Sequence, residues 1–121
     1  MAIKVLFADD SSFMRSILKN IILKEPYVMV GEASTGKEAL ELYQKHKPDL
    51  VTMDIVMPEM DGIEAVRQIR ALDHEAKVIM VSAMGQQGMV IDAIQAGARD
   101  FIIKPFQPPR VLEALKRVMG Q

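Results

Sequence analysis

Short apolar runs rich in β-branched residues alternate with amphipathic runs along this chain, five times in succession, with only a few residues between them. Few folds satisfy that pattern. A parallel sheet needs a long crossover between strands, and a helix is the usual one, so the alternation predicts an α/β fold with helices on both sheet faces. The first run, Ile3–Ala8, is mostly apolar on both sides, as a strand covered on two faces must be. From Ser11 to Lys24, the residues Phe13, Met14, Ile17, Leu18, Ile21 and Ile22 predict one buried helical face, stopped by Pro26. Residues 27–30 read as a second strand closed by Gly31. Thr35 and Glu38 have capping-box spacing, and the helix they open runs to about His46 with Ala39, Leu40 and Tyr43 inward.

The rest of the chain repeats the pattern. Residues 50–53 form a third strand with Asp54 at its carboxyl end, and a loop follows to Met60. Asp61 and Glu64 cap a third helix with Ile63, Val66 and Ile69 inward. Residues 77–81 form a fourth strand ending at Ser82, and Gln86 to Ala96 a fourth helix followed by Gly97. Residues 101–103 form a fifth strand ending at Lys104. Pro108 or Pro109 opens a fifth helix whose stripe is Val111, Leu112, Leu115, Val118 and Met119. No linker interrupts the 121 residues, so they read as one domain, 1–121.

Composition removes several function classes. Without cysteine there is no disulfide, thiolate nucleophile or cysteine-held metal cluster. The formal charge of −1 leaves no generally basic surface for nucleic acid. No apolar run reaches the ~18–20 residues of a membrane helix, and the first residues run directly into a strand rather than a signal segment. A cytoplasmic protein is the expectation.

Ligands of an open parallel sheet bind outside the carboxyl ends of its strands. Asp9 and Asp10 follow the first strand, Asp54 the third, Ser82 the fourth and Lys104 the fifth. Any one of these alone is more often a cap or a turn residue than a ligand. Together, at the ends of four strands, they define a chemistry. Clustered carboxylates repel unless a cation shares the site, and oxygen-only donors suit Mg²⁺. A hard cation, an ammonium and a hydroxyl are the equipment of phosphoryl transfer, with Asp54 placed to act as nucleophile. His46 and His74 lie near helix ends, away from this rim, and read as surface histidines.

Asp9-Asp10, the stretch from Met53-Asp54 through Met57-Pro58 to Met60-Asp61-Gly62, Ser82-Ala83 and Lys104-Pro105 resemble the receiver domain of two-component response regulators. The likeness runs from Ile3 to Met119 and is greatest to the stand-alone chemotaxis type. It implies a flavodoxin-like sheet of order 2-1-3-4-5 with five helices. It implies that Asp54 accepts a phosphoryl group from a sensor histidine kinase. Asp10, Asp54 and the Val56 carbonyl would ligate Mg²⁺, with Asp9 acting through water. Lys104 would pair with phosphoryl oxygens across a cis bond to Pro105, Ser82 would hydrogen-bond them, and Phe101 would be the switch aromatic. The implied output partner is a flagellar motor switch protein, with a phosphatase as a further partner. Such a protein catalyses only its own phosphorylation and dephosphorylation.

The fourth helix is unusually apolar. Val90, Ala93, Ile94 and Gly97 are expected in the core. Met89 and Ile91 are expected on the surface, where Met89, Arg99 and Phe101 would form a partner-binding face. Val56 and Met84 flank the expected path of hydrolytic water. Both are apolar, which predicts a long-lived phosphoryl group. Two other function classes fit less well. An aspartate-nucleophile phosphatase needs an acid where Val56 stands, and a flavin carrier needs a hydroxyl-rich phosphate loop where Asp9 and Asp10 stand. A receiver cut from a larger regulator is the remaining alternative.

Overall fold

The computed structural model describes residues 2–120; Met1 and Gln121, the ends of the expected domain, lie outside the described residues. The chain runs β1 (Ile3–Ala8), α1 (Ser12–Ile22), β2 (Tyr27–Ala33), α2 (Gly36–His46), β3 (Leu50–Met53), α3 (Gly62–Leu72), β4 (Val78–Ser82), α4 (Gln87–Ala96), β5 (Asp100–Ile103) and α5 (Pro108–Met119). All strands pair in parallel, in the order β2-β1-β3-β4-β5. The winding direction reverses between β1 and β3, so the loops after these two adjacent strands diverge and leave a crevice.

Strand periodicity divides the interior into two cores. Val5, Phe7, Leu50, Ile79, Val81 and Ile102 face one way and pack on Leu18 and Ile22 of α1 and Val111, Ala114 and Leu115 of α5. Leu6, Ala8, Val51, Met53, Met80 and Phe101 face the other way, against Ala39 and Tyr43 of α2, Ile63, Val66 and Ile69 of α3 and Ala93 of α4. Among the described residues no helix is long and apolar enough to cross a membrane.

Three helices start on side-chain caps, of which Thr35 and Asp61 are the expected ones. The side chains of Ser11, Thr35 and Asp61 accept the N–H groups of Met14, Glu38 and Glu64. Each bond satisfies a donor that has no partner within its own helix. The cap of α4, Gln86, makes no such side-chain bond, and α4 carries no acidic residue in its first turn.

The structure corrects several expectations. Gly31 does not end β2, which continues to Ala33. The register slips between Val5 and Leu6, and a Cβ on Gly31 would press within 3.3 Å of Leu6 Cδ1, so this glycine marks an irregularity inside an edge strand. Phe13 is 74% exposed; five residues from Leu18, it lies roughly 140° around the helix from the buried stripe. Leu112 is half exposed, one helical step (about 100°) from Val111, while Ala114 takes the buried place. On α4, Ala93 centres the inward face. Met89, four residues before it, is half-buried against the core rather than free, and Ile94 is exposed beside Ile91.

Beyond the apolar contacts, a half-buried polar bond joins α2 to α3. The Tyr43 hydroxyl donates to Asp73 Oδ2 at 2.8 Å, and Asp73 is the C-cap of α3. Burial first and Asp73 second push the phenol up, while this bond holds the Asp73 carboxyl below its ordinary value. A lowered carboxyl contributes stability above its unfolded value that is lost as pH falls through its folded one. Tyr43→Phe is therefore expected to lose about 1 kcal/mol at neutral pH, since Asp73 is largely solvated. Denaturant titrations should show that deficit shrinking below about pH 4.

Candidate functional site

The crevice at the carboxyl ends of β1 and β3 collects the acids. Each of Asp9, Asp10 and Asp54 offers a carboxylate oxygen, and these oxygens lie within 4.8 Å of one another. Asp9 and Asp54 are buried and Asp10 is exposed, so the cluster opens to solvent on one side. Backbone bonds hold the rim: the N–H of Asp9 donates to Ala33 O at 2.9 Å, that of Asp54 to Ala8 O at 3.0 Å, and that of Lys104 to Ser82 O at 2.9 Å.

Lys104 crosses the site from the end of β5. Its Nζ lies 2.8 Å from Asp9 Oδ2 and 3.3 Å from Asp54 Oδ2, with only 16% of its side chain exposed. The Lys104–Pro105 peptide is cis. The other Asp54 oxygen, Oδ1, accepts the N–H of Ile55 at 2.8 Å. Burial pushes the Asp54 carboxyl above its ordinary value. Lys104 opposes that, Asp9 adds to it, and a hydrogen bond from Ser82 and the Ile55 N–H oppose it more weakly. The site therefore holds more negative charge than its single ammonium balances. The donors are all oxygens, one carboxylate faces solvent, and burial disfavours the charge on another. These features fit a small divalent cation.

The remaining predicted residues separate into two groups. Ser82 is buried at the rim, its hydroxyl accepting the Met84 N–H at 3.2 Å. Val56 lies on the exposed loop after Asp54, 57% exposed. Phe101 is only 8% exposed and belongs to the core shared with α3 and α4, so it is not part of an exposed partner face here. Arg99 is exposed. The apolar surface of α4 comes from Ile91 and Ile94 rather than Met89, because the inward face of a helix this short is set by Ala93.

Gly62 is a site residue whose role the sequence did not disclose. Its N–H donates to Ile55 O at 2.8 Å, and a Cβ there would stand 1.8 Å from the Asp54 carbonyl oxygen. The start of α3 thus lies directly against the Asp54 main chain, which only a residue without a side chain permits. Asp61-Gly62 read as a cap and first turn. The signal was there, but its partner lay in another element.

Because the folded chain holds the Asp54 proton more tightly than the unfolded chain does, stability falls as pH rises from the ordinary Asp range through Asp54's own raised value. The charged carboxylate is thus a net destabiliser at neutral pH. Asp54→Asn should raise the thermal midpoint at pH 7, and the gain should disappear below the ordinary Asp range. A scan in which the variant melts lower at pH 7 would contradict this account of the site.

Comparison with known proteins agrees with the geometry. Residues 5–116 match the response regulator receiver domain. The chain is 57% identical over 120 residues to the chemotaxis protein CheY of Bacillus subtilis, covering 99% of this chain and 100% of that one. It is 59% identical over 118 residues to the chemotaxis protein CheY of Thermotoga maritima, covering 98% of each. Among solved structures, a chain of the CheX–CheY–BeF3–Mg²⁺ complex from Borrelia burgdorferi superposes with a TM-score of 0.93 at 38% identity, covering 98% of this chain and 90% of that one. This chain, with its five parallel strands and its carboxylates gathered beside a lysine, belongs to the family of response regulator receiver domains.

Proposed function

We propose that the chain is a phosphorylation-activated response regulator of a chemotaxis-type two-component pathway. The observation that carries this reading is the convergence of Asp9, Asp10 and Asp54 within 4.8 Å, with Lys104 in contact with two of them. Near full-length similarity to chemotaxis proteins supports it.

In this reading an Asp54 oxygen attacks the phosphorus of a phosphohistidine on a sensor histidine kinase. The new O–P bond forms as the P–N bond breaks, and the imidazole leaves with the electron pair. Asp10, Asp54 and the Val56 carbonyl would hold Mg²⁺, with Asp9 supporting them. When bound, the ion supplies positive charge that offsets the clustered carboxylates and the phosphoryl oxygens. Lys104 turns from the carboxylates to the incoming oxygens. The Ser82 hydroxyl moves from its present partners to the phosphoryl group and draws the loop after β4 inward.

That loop leads into α4, whose first turn lacks a side-chain cap, so a small pull on Ser82 acts on a weakly tethered helix end. Phe101, buried beneath it, is the aromatic whose packing then changes. The signal passes to a flagellar motor switch protein, and a phosphatase resets it. We place the protein in the cytoplasm and its only chemistry on itself. The phosphatase alternative lacks support at Val56, which is exposed and apolar where a general acid would stand.

Acetyl phosphate with Mg²⁺ should label the parent with one phosphoryl group, and Asp54→Asn should remove the label, as read by intact mass. Unchanged labelling of the variant would refute Asp54 as acceptor. Once labelled, Val56→Asn should release phosphate several-fold faster than the parent, because a side chain able to hold water then stands at the exposed edge of the site. Equal lifetimes would refute that role for Val56.

A further inference from the structure

The proposed reading needs Asp10 aimed at the ion, yet among the described residues none donates a hydrogen bond to the Asp10 side chain. Its direction depends on the peptide that joins it to Asp9. That peptide is grasped from outside the acidic cluster. Nη1 of Arg15, one turn into α1, donates to the Asp9 carbonyl oxygen. The same guanidinium donates through Nε to Glu32 Oε1 at 2.9 Å, and Lys19 Nζ holds the other Glu32 oxygen at 3.0 Å. Glu32 stands on β2 opposite Phe7, next to Ala33, whose carbonyl takes the Asp9 N–H. Asp9 is thus fixed at its N–H by β2 and at its carbonyl by Arg15, itself clamped to β2.

We propose that Arg15, oriented by Glu32, is a positioning residue for the Mg²⁺ site: by holding the Asp9–Asp10 peptide it sets where the Asp10 carboxylate points. A guanidinium suits the task because its rigid planar fork reaches a carboxylate and a carbonyl from two separate nitrogens, whereas an ammonium is a point charge on a flexible stem. Side chains that orient ligands in this way change metal affinity by roughly 10–100-fold when removed.

The direction of the effect separates this role from simple electrostatics. Arg15 is a cation near an acidic site, so deleting its charge alone would tighten Mg²⁺ binding. Loss of positioning weakens it. The inference rests on the proposed metal site, and calorimetric titration of the whole chain with MgCl₂ tests both separately. Arg15→Ala should bind about tenfold more weakly than the parent, Arg15→Lys should also be weakened, and Glu32→Gln should lose several-fold.

Far-UV circular dichroism checks that each variant is folded; if Arg15→Ala is not, Arg15→Lys, which keeps the charge, carries the test. Parental or tighter affinity in the folded arginine variants overturns the role of Arg15 while leaving the metal site standing. A parent that binds no Mg²⁺ overturns the site and this inference together.

Discussion

One ammonium facing two buried carboxylates organises the functional end of this molecule. Lys104 reaches from β5 to Asp9 after β1 and to Asp54 after β3, so a single side chain ties together strands that are far apart in sequence. The tie is incomplete by design of charge: three acids share one lysine. A buried excess of negative charge is unfavourable on its own, and the fold tolerates it because the surrounding sheet is closely packed on both faces. Such a site is poised for positive charge, and afterwards for the negative oxygens that positive charge attracts. Receiver function, on this view, is the use of a local electrostatic conflict that the rest of the domain is stable enough to sustain.

The two faces of the sheet contribute differently. The face covered by α1 and α5 is built from large aliphatic residues whose strand partners are fully buried, and α1 also carries the Arg15 clamp. The other face contains the elements that can respond. There, Gly62 brings α3 against the Asp54 backbone, Ser82 connects the acidic pocket to the loop before α4, and α4 begins without a capping side chain and with exposed Ile91 and Ile94. A rigid face and an adjustable face, meeting at the same row of strand ends, give a change of charge at Asp54 a mechanical outlet.

Much of this was legible from residues alone. Helix starts at Thr35 and Asp61 were readable because a capping side chain and the N–H it accepts sit three residues apart in the chain. The buried faces of α2 and α3 were readable because their apolar spacing is unambiguous. Phe13, Leu112, Met89 and Ile94 were misplaced for a common reason. A stripe of six apolar residues is wider than the contact a helix makes, and only the packing partner selects which of them enter. Phe101 was expected both as a switch and as surface, and its register on β5 sends it inward.

The order of strand types and the identity of the chemical groups at their ends were determined by sequence, since hydrophobic period and residue chemistry are local properties. Which groups meet was decided by the tertiary structure. The distance from Lys104 to Asp9 spans most of the chain, and the approach of Gly62 to the Asp54 carbonyl and the reach of Arg15 across to Glu32 each join two successive elements. Their geometry follows from sheet order and register, which no local pattern encodes.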